Sequence, residues 1–213
     1  IARPDAAGRA ELDDRRSAAE GAPAHCGLAG LYEVMKDSPP DLILSGVSRG
    51  NNAAENTLYS GTIGAVIEAA LQGVPAIAMS QFFGPDNKDL DDPFEAALVH
   101  GAATVRALLD SGIWTTGAYP VFYNVNFPPV SAAAVKGTRV TPQGRRPGVN
   151  FSVEPQSSPT GRQFMWVRGG DQRVPSGAGT DAQANLDGYI SITPMRADLT
   201  AHDMIPKLQG LLG

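Results

Sequence analysis

A single cysteine, Cys26, leaves this chain without an internal disulfide, which fits a reducing compartment and makes the cytoplasm the expected location. No apolar run approaches the ~18–20 residues needed to cross a bilayer, so no membrane partner is expected. The charged stretch Ile1 to Arg16 also lacks the apolar centre of a secretion signal. Positive charge is scarce: 17 Lys and Arg stand against 22 Asp and Glu, a net charge of −5. Without a basic run, a nucleic-acid polymer is not an expected partner. Histidine is scarce too, and His25, His100 and His202 are the only three available as a general base. The chain begins with Ile rather than Met, which leads us to expect an upstream segment.

What is present is a globular pattern, 42% hydrophobic over 213 residues, expected to form one domain across 1–213. Residues 1–20 read as an N-terminal arm or short surface helix. After Pro23, apolar positions recur at helical spacing until Ser38-Pro39-Pro40 stops them. Asp41 to Val47 is a buried parallel strand by its continuous apolar run, and Val74 to Ser80 another. Between them, Gly61 to Gln72 has a helical apolar face that Gly73 ends. Pro93 to Ser111 is a further helix and Val121 to Phe127 a further strand. Alternating strand and helix predicts an α/β core with a parallel sheet. From about 135 to 200 the texture becomes β-rich, with short strands between Gly and Pro loops, and 201–213 closes the chain as a helix.

The segment Asp41-Leu-Ile-Leu-Ser-Gly-Val-Ser-Arg-Gly-Asn-Asn, running on to Tyr59-Ser60-Gly61-Thr62, resembles the SurE family pattern of a strand, an S-G-(I/V)-N-x-G-x-N loop and Y-S-G-T. Gly179-Thr180-Asp181, Gly188-Tyr-Ile-Ser-Ile-Thr-Pro194 and Asp198-Leu199-Thr200 resemble further motifs of the same family. The resemblance covers Gly21 through Thr200. It implies a Rossmann-type three-layer core with a β-rich C-terminal extension, and a homodimer or homotetramer built by exchange of a hairpin and the C-terminal extension. It also implies hydrolysis of phosphate monoesters with a divalent metal such as Mg or Mn, held by paired Asp of an N-D-D-G, a loop Ser and the first Asn of S-G-(I/V)-N. This chain departs from that pattern. It has no N-D-D-G, Asp13-Asp14 is a bare pair in a charged stretch, and the position of the liganding Asn is Ser48. A neutral hydroxyl without carboxylates is a weak site for a hard cation. The phosphate-binding residues implied by the resemblance, Asn52, Ser60, Gly61 and Thr62, are retained. Their chemistry is readable directly, since Ser60-Gly61-Thr62 opens a helix whose free N–H groups and dipole favour an anion.

With Ser at 48, Gly46-Val47-Ser48-Arg49-Gly50 becomes G-x-S-x-G at the end of a strand, the pattern of a serine hydrolase nucleophile. The residues from 49 to 60 separate it from the next helix, longer than a nucleophile elbow allows. His25 stands where the family has Asp in G-T-P-x-D-C, so Ser48 with His25 makes a coherent replacement for metal chemistry. The N–H groups around Arg49 and Gly50, or the cradle at 60–62, would then bind the oxyanion. His202, one helical turn beyond Asp198, is an alternative base; His100 falls on the polar side of its helix. The favoured expectation is a carboxylesterase using Ser48 and no cofactor on a small-molecule ester. One alternative is a SurE-type metal-dependent 5'/3'-nucleotidase whose metal ligands lie outside the chain. A further alternative is an inactive anion-binding scaffold.

Overall fold

The computed structural model describes residues 8–84, 86–148 and 151–212. The arm expected at the N-terminus is a hairpin rather than a helix, β1 (Arg9–Asp13) pairing antiparallel with β2 (Arg16–Ala19). Asp13 makes the turn: its carboxylate accepts from the Arg15 N–H at 2.9 Å and from the Arg16 guanidinium at 2.6 Å. Arg15 and Arg16 are thus spent on an aspartate-centred turn. Helix α1 (Pro23–Ala29) follows, with proline in its first turn, and runs into a π-helical turn over Gly30–Val34.

The central sheet holds β3 (Ile43–Arg49), β4 (Ala76–Gln81), β5 (Phe122–Phe127), β9 (Ile190–Met195) and β6 (Thr138–Val140), in the order β3-β4-β5-β9-β6. Strands β3, β4 and β5 are parallel, as the strand-helix alternation predicts, and β9 enters antiparallel to β5. Helix α2 (Gly61–Leu71) covers one face, where Ile63, Val66, Ala69 and Ala70 pack on Ala76, Ala78 and Phe122. Helix α3 (Glu95–Asp110) covers the other, with Ala96, Ala97 and Leu108 against Ile77, Met79, Val125 and Phe127. This is the three-layer α/β sandwich expected. Strand β4 is buried at all six positions, so its run of small and apolar residues reads as continuous rather than alternating.

The β-rich region supplies β6 and β9 to this sheet and a separate hairpin, β7 (Ser152–Ser157) with β8 (Gln163–Arg168). Beyond the N-terminal hairpin, three elements have no counterpart in the sequence reading: a 3₁₀ turn over Ala54–Tyr59, inside what read as a plain loop, another over Ala132–Ala134, and α4 (Asp181–Leu186). The chain closes with α5 (Ile205–Leu212), as expected. Strand β3 lies at the sheet edge among the described residues, with Leu44 46% exposed.

Candidate active site at the carboxyl ends of the parallel strands

Ser48 does not sit on a strand-to-helix elbow. Strand β3 runs on through Ser48 and Arg49, pairing Ser48 with Ser80 and Arg49 with Gln81. Gly46 is needed for this course, because at φ +121° a Cβ there would come within 2.1 Å of the Met79 carbonyl oxygen. The Ser48 hydroxyl donates to Ser80 Oγ at 3.1 Å and accepts from Asn52 Nδ2 at 3.2 Å, and the same amide reaches Ser80 Oγ. Two hydroxyls and an amide therefore converge where β3 and β4 end.

Neither partner of Ser48 is a base. His25 lies exposed in the first turn of α1 and makes no hydrogen bond to Ser48. His202 does meet Asp198, Nε2 to Oδ2 at 2.6 Å. That pair follows the end of β9 that adjoins Phe122, whereas Ser48 lies at the end of the sheet near Phe127. The two are at opposite ends of the strands. His100 is half-buried rather than a free surface residue, its Nε2 3.0 Å from the Ala132 carbonyl. The structure thus brings Ser48 and Asn52 together, and among the described residues no histidine hydrogen-bonds to either.

The loop after β3 is held by residues far along the chain. Asn126 Oδ1 accepts from the Asn52 N–H at 2.7 Å, and Asn124 Nδ2 donates to the Asn52 carbonyl at 2.8 Å. Both asparagines are fully buried in β5. Asp181 is also fully buried and accepts N–H groups from Ala54, Gly144 and Ala182 at 2.7–3.0 Å. Burial pushes its carboxyl above the ordinary range, against the pull of those three donors and of Arg146. The Arg146 side chain is entirely enclosed, bonded to Glu55 at 3.2 Å, to Asn51 Oδ1 at 3.0 Å and to the Ala53 carbonyl. Burial acts to raise Glu55, but the Arg146 backbone N–H and guanidinium outweigh it, and the carboxyl lies below its usual value.

Ser60 caps α2, its Oγ accepting from the Ile63 N–H at 3.1 Å. The Gly61 and Thr62 N–H groups have no acceptor among the described residues, so the anion-binding potential of this helix start survives. Gly61 has a packing reason to be glycine: a Cβ there would lie 2.8 Å from Pro23 Cγ, so it is the seat of α1 on α2.

Sequence reasoning missed Ser80, Asn124 and Asn126. Their signal was two asparagines at i and i+2 in an otherwise apolar strand, and a serine ending a fully buried one. Arg49 and Gly50 line a cleft of ≈ 440 Å³ beside the cluster.

A mostly parallel sheet between helical layers, with polar side chains gathered beyond the carboxyl ends of its strands, defines an α/β protein with a Rossmann-like ligand site. The family model for "Survival protein SurE" matches residues 4–150. The 5'-nucleotidase SurE of Cereibacter sphaeroides is 62% identical over 204 residues, covering 96% of this chain and 78% of the relative. That of Roseobacter denitrificans is 60% identical over 202 residues, covering 95% and 77%. The crystal structure of the SurE protein from Aquifex aeolicus superposes with a TM-score of 0.78 at 29% identity, covering 99% of this chain and 82% of that one. The chain belongs to the SurE family.

These findings overturn the carboxylesterase expectation, because the curated relatives at about 60% identity are named 5'-nucleotidases. The G-x-S-x-G string is present in the sequence, but Ser48 has no base beside it among its hydrogen-bond partners. The cofactor-free expectation falls with it, since it belonged to the esterase reading and the SurE resemblance implies metal dependence. The described residues do not by themselves fit a divalent cation. They hold no group of three His, Cys, Asp or Glu side chains placed to grip one, and the Ser48 cluster offers only neutral oxygens. No helix among the described residues is long and apolar enough to cross a membrane.

Proposed function

We propose that the protein is a hydrolase of phosphate monoesters, a 5'-nucleotidase, and that this chain supplies the part of its site that receives the phosphate. The observation that carries the reading is identity of about 60% to curated 5'-nucleotidases across about 95% of the chain. The geometry supports it. Asn52 is fixed at backbone and side chain, fully buried Ser80 holds the half-buried Ser48 hydroxyl and the Asn52 amide, and α2 opens with N–H groups at Gly61 and Thr62 that no acceptor among the described residues claims. Such a set suits the oxygens of a phosphate, which accept hydrogen bonds and carry charge that a helix start favours. The negative charge developed during hydrolysis needs more compensation than these neutral groups give, which is the work a divalent cation does in phosphoryl transfer. A cytoplasmic setting and a homo-oligomer belong to the same reading.

The test is phosphate release from nucleoside 5'-monophosphates by the full-length protein, with Mn²⁺ or Mg²⁺ and with EDTA, beside p-nitrophenyl butyrate. Metal-dependent phosphate release with no butyrate turnover is expected. Binding of a nucleotide without turnover under every metal condition would instead favour the inactive scaffold.

A further inference from the structure

The loop after β3 turns at a strained residue two positions beyond Asn52. Among the described residues Ala54 is the one non-glycine with a positive φ, +53°. A residue with a Cβ enters this left-handed region only at a cost, because the Cβ crowds the following carbonyl oxygen. Such a conformation persists where the surrounding groups over-determine it. Ala54 is fully buried, so its peptide groups depend on protein partners.

Those partners come from the distant chain. Asp181 Oδ2 accepts from the Ala54 N–H at 3.0 Å, and Gln143 Nε2 donates to the Ala54 carbonyl at 2.8 Å. The Arg146 guanidinium donates to the Ala53 carbonyl at 3.2 Å, and the Thr57 hydroxyl to the Asn52 carbonyl at 2.8 Å. Asp181 is itself anchored. Its N–H donates to the Pro142 carbonyl at 3.0 Å, and its Oδ1 accepts from the Gly144 and Ala182 N–H groups at 2.8 and 2.7 Å. The two oxygens divide the work: Oδ1 ties the carboxylate to its own surroundings, while Oδ2 reaches across 127 positions of sequence to Ala54. The turn at Ala54 sets the course of the chain just before it. There the Asn52 N–H meets Asn126 Oδ1 at 2.7 Å, and the Asn52 amide meets Ser48 Oγ at 3.2 Å and Ser80 Oγ.

We infer that Asp181 is a positioning residue: by holding Ala54 in the left-handed region, it fixes the loop so that the Asn52 amide meets the Ser48 and Ser80 hydroxyls. What that amide does for a phosphate rests on the nucleotidase reading; the geometry of the loop does not.

The experiment uses the full-length protein with Asp181→Asn, alone and combined with Ala54→Gly. The amide is close to the carboxylate in shape. With two N–H groups at one oxygen position and one at the other, it keeps its own oxygen toward Gly144 and Ala182 and turns its NH2 on the Ala54 N–H, donor against donor. Two quantities are measured: kcat/KM for AMP with Mn²⁺, and amide-exchange protection at Asn52 beside that in β4 and β5. Asp181→Asn is expected to lower kcat/KM about ten- to a hundredfold and to loosen Asn52 while β4 and β5 keep their protection. Adding Ala54→Gly is expected to return most of both losses, because glycine occupies the left-handed region without being held there. A loss that glycine does not return overturns the proposal, since Asp181 then acts through something other than Ala54. Unchanged protection at Asn52 in Asp181→Asn overturns it too, and leaves the nucleotidase reading standing if the wild type hydrolyses AMP. A wild type inert toward AMP, whose Asn52 loosens in Asp181→Asn and tightens again with Ala54→Gly, keeps the positioning role and sinks the nucleotidase reading.

Discussion

Ser48 shows how one side chain can carry two incompatible meanings. In the string Gly46 to Gly50 it looks like a nucleophile, but in space its partners are Ser80 and Asn52, neither of which can take its proton. Loss of a true serine nucleophile costs roughly a millionfold in kcat. Ser48→Ala in the full-length protein is expected to cost no more than about tenfold in phosphate release, measured with AMP and Mn²⁺. Arg146 gives a second prediction at this scale. Its enclosed guanidinium pairs with Glu55, and removing one member of a buried pair strands the other. Arg146→Met is expected to destabilise the fold by about 3–5 kcal/mol, read by urea denaturation. Asn52 was legible only through the resemblance, whereas Ser60 was legible as a helix cap, which is a local signal. Asn124, Asn126 and Arg146 were not, because their partners lie more than seventy residues away and only the folded sheet brings them together.

The helices and strands themselves were mostly legible, since β3, β4, β5, α2 and α3 follow apolar runs and periodicity that burial imposes. The N-terminal hairpin was not, because β1 and β2 are exposed on nearly every residue and leave no apolar pattern to read. The packing of α1 on α2 yields a test. Gly61→Ala places a Cβ 2.8 Å from Pro23 Cγ and is expected to cost about 1–3 kcal/mol. Pro23→Ala in the same molecule should return part of that loss, and additive effects in a double-mutant cycle would show that the two do not touch. Ahead of α5, Asp198 is held at about 2 instead of 3.8 by the Thr200 hydroxyl and N–H, then by His202. A carboxyl lowered on folding stabilises above its unfolded value and loses that contribution as pH falls through the folded one. Protection against amide exchange over residues 198–212, taken relative to the intrinsic exchange rate at each pH, should therefore fall as pH drops from 3.8 toward 2, and Asp198→Asn should flatten that dependence.

Taken whole, the chain leaves much apolar surface uncovered. Leu44 and Val47 face outward on the edge strand, Met165, Trp166 and Val167 on the β7–β8 hairpin, and Leu211 and Leu212 on α5. Patches of this kind mark association surfaces, and the backbone of an edge strand invites pairing. Light scattering is expected to report a dimer or larger, and a monomer at micromolar concentration would count against the oligomer.

The ties from Arg146 and Asp181 back to Asn51, Ala53 and Ala54 also set a timetable for synthesis. A nascent chain that has emerged only as far as β5 holds the parallel strands and their helices, yet the loop after β3 has neither the guanidinium nor the carboxylate that shapes it. Long-range closures of this kind come late in folding. The site is therefore finished after translation has passed α4, and a ribosome stalled before that point would display a folded core with an unformed site.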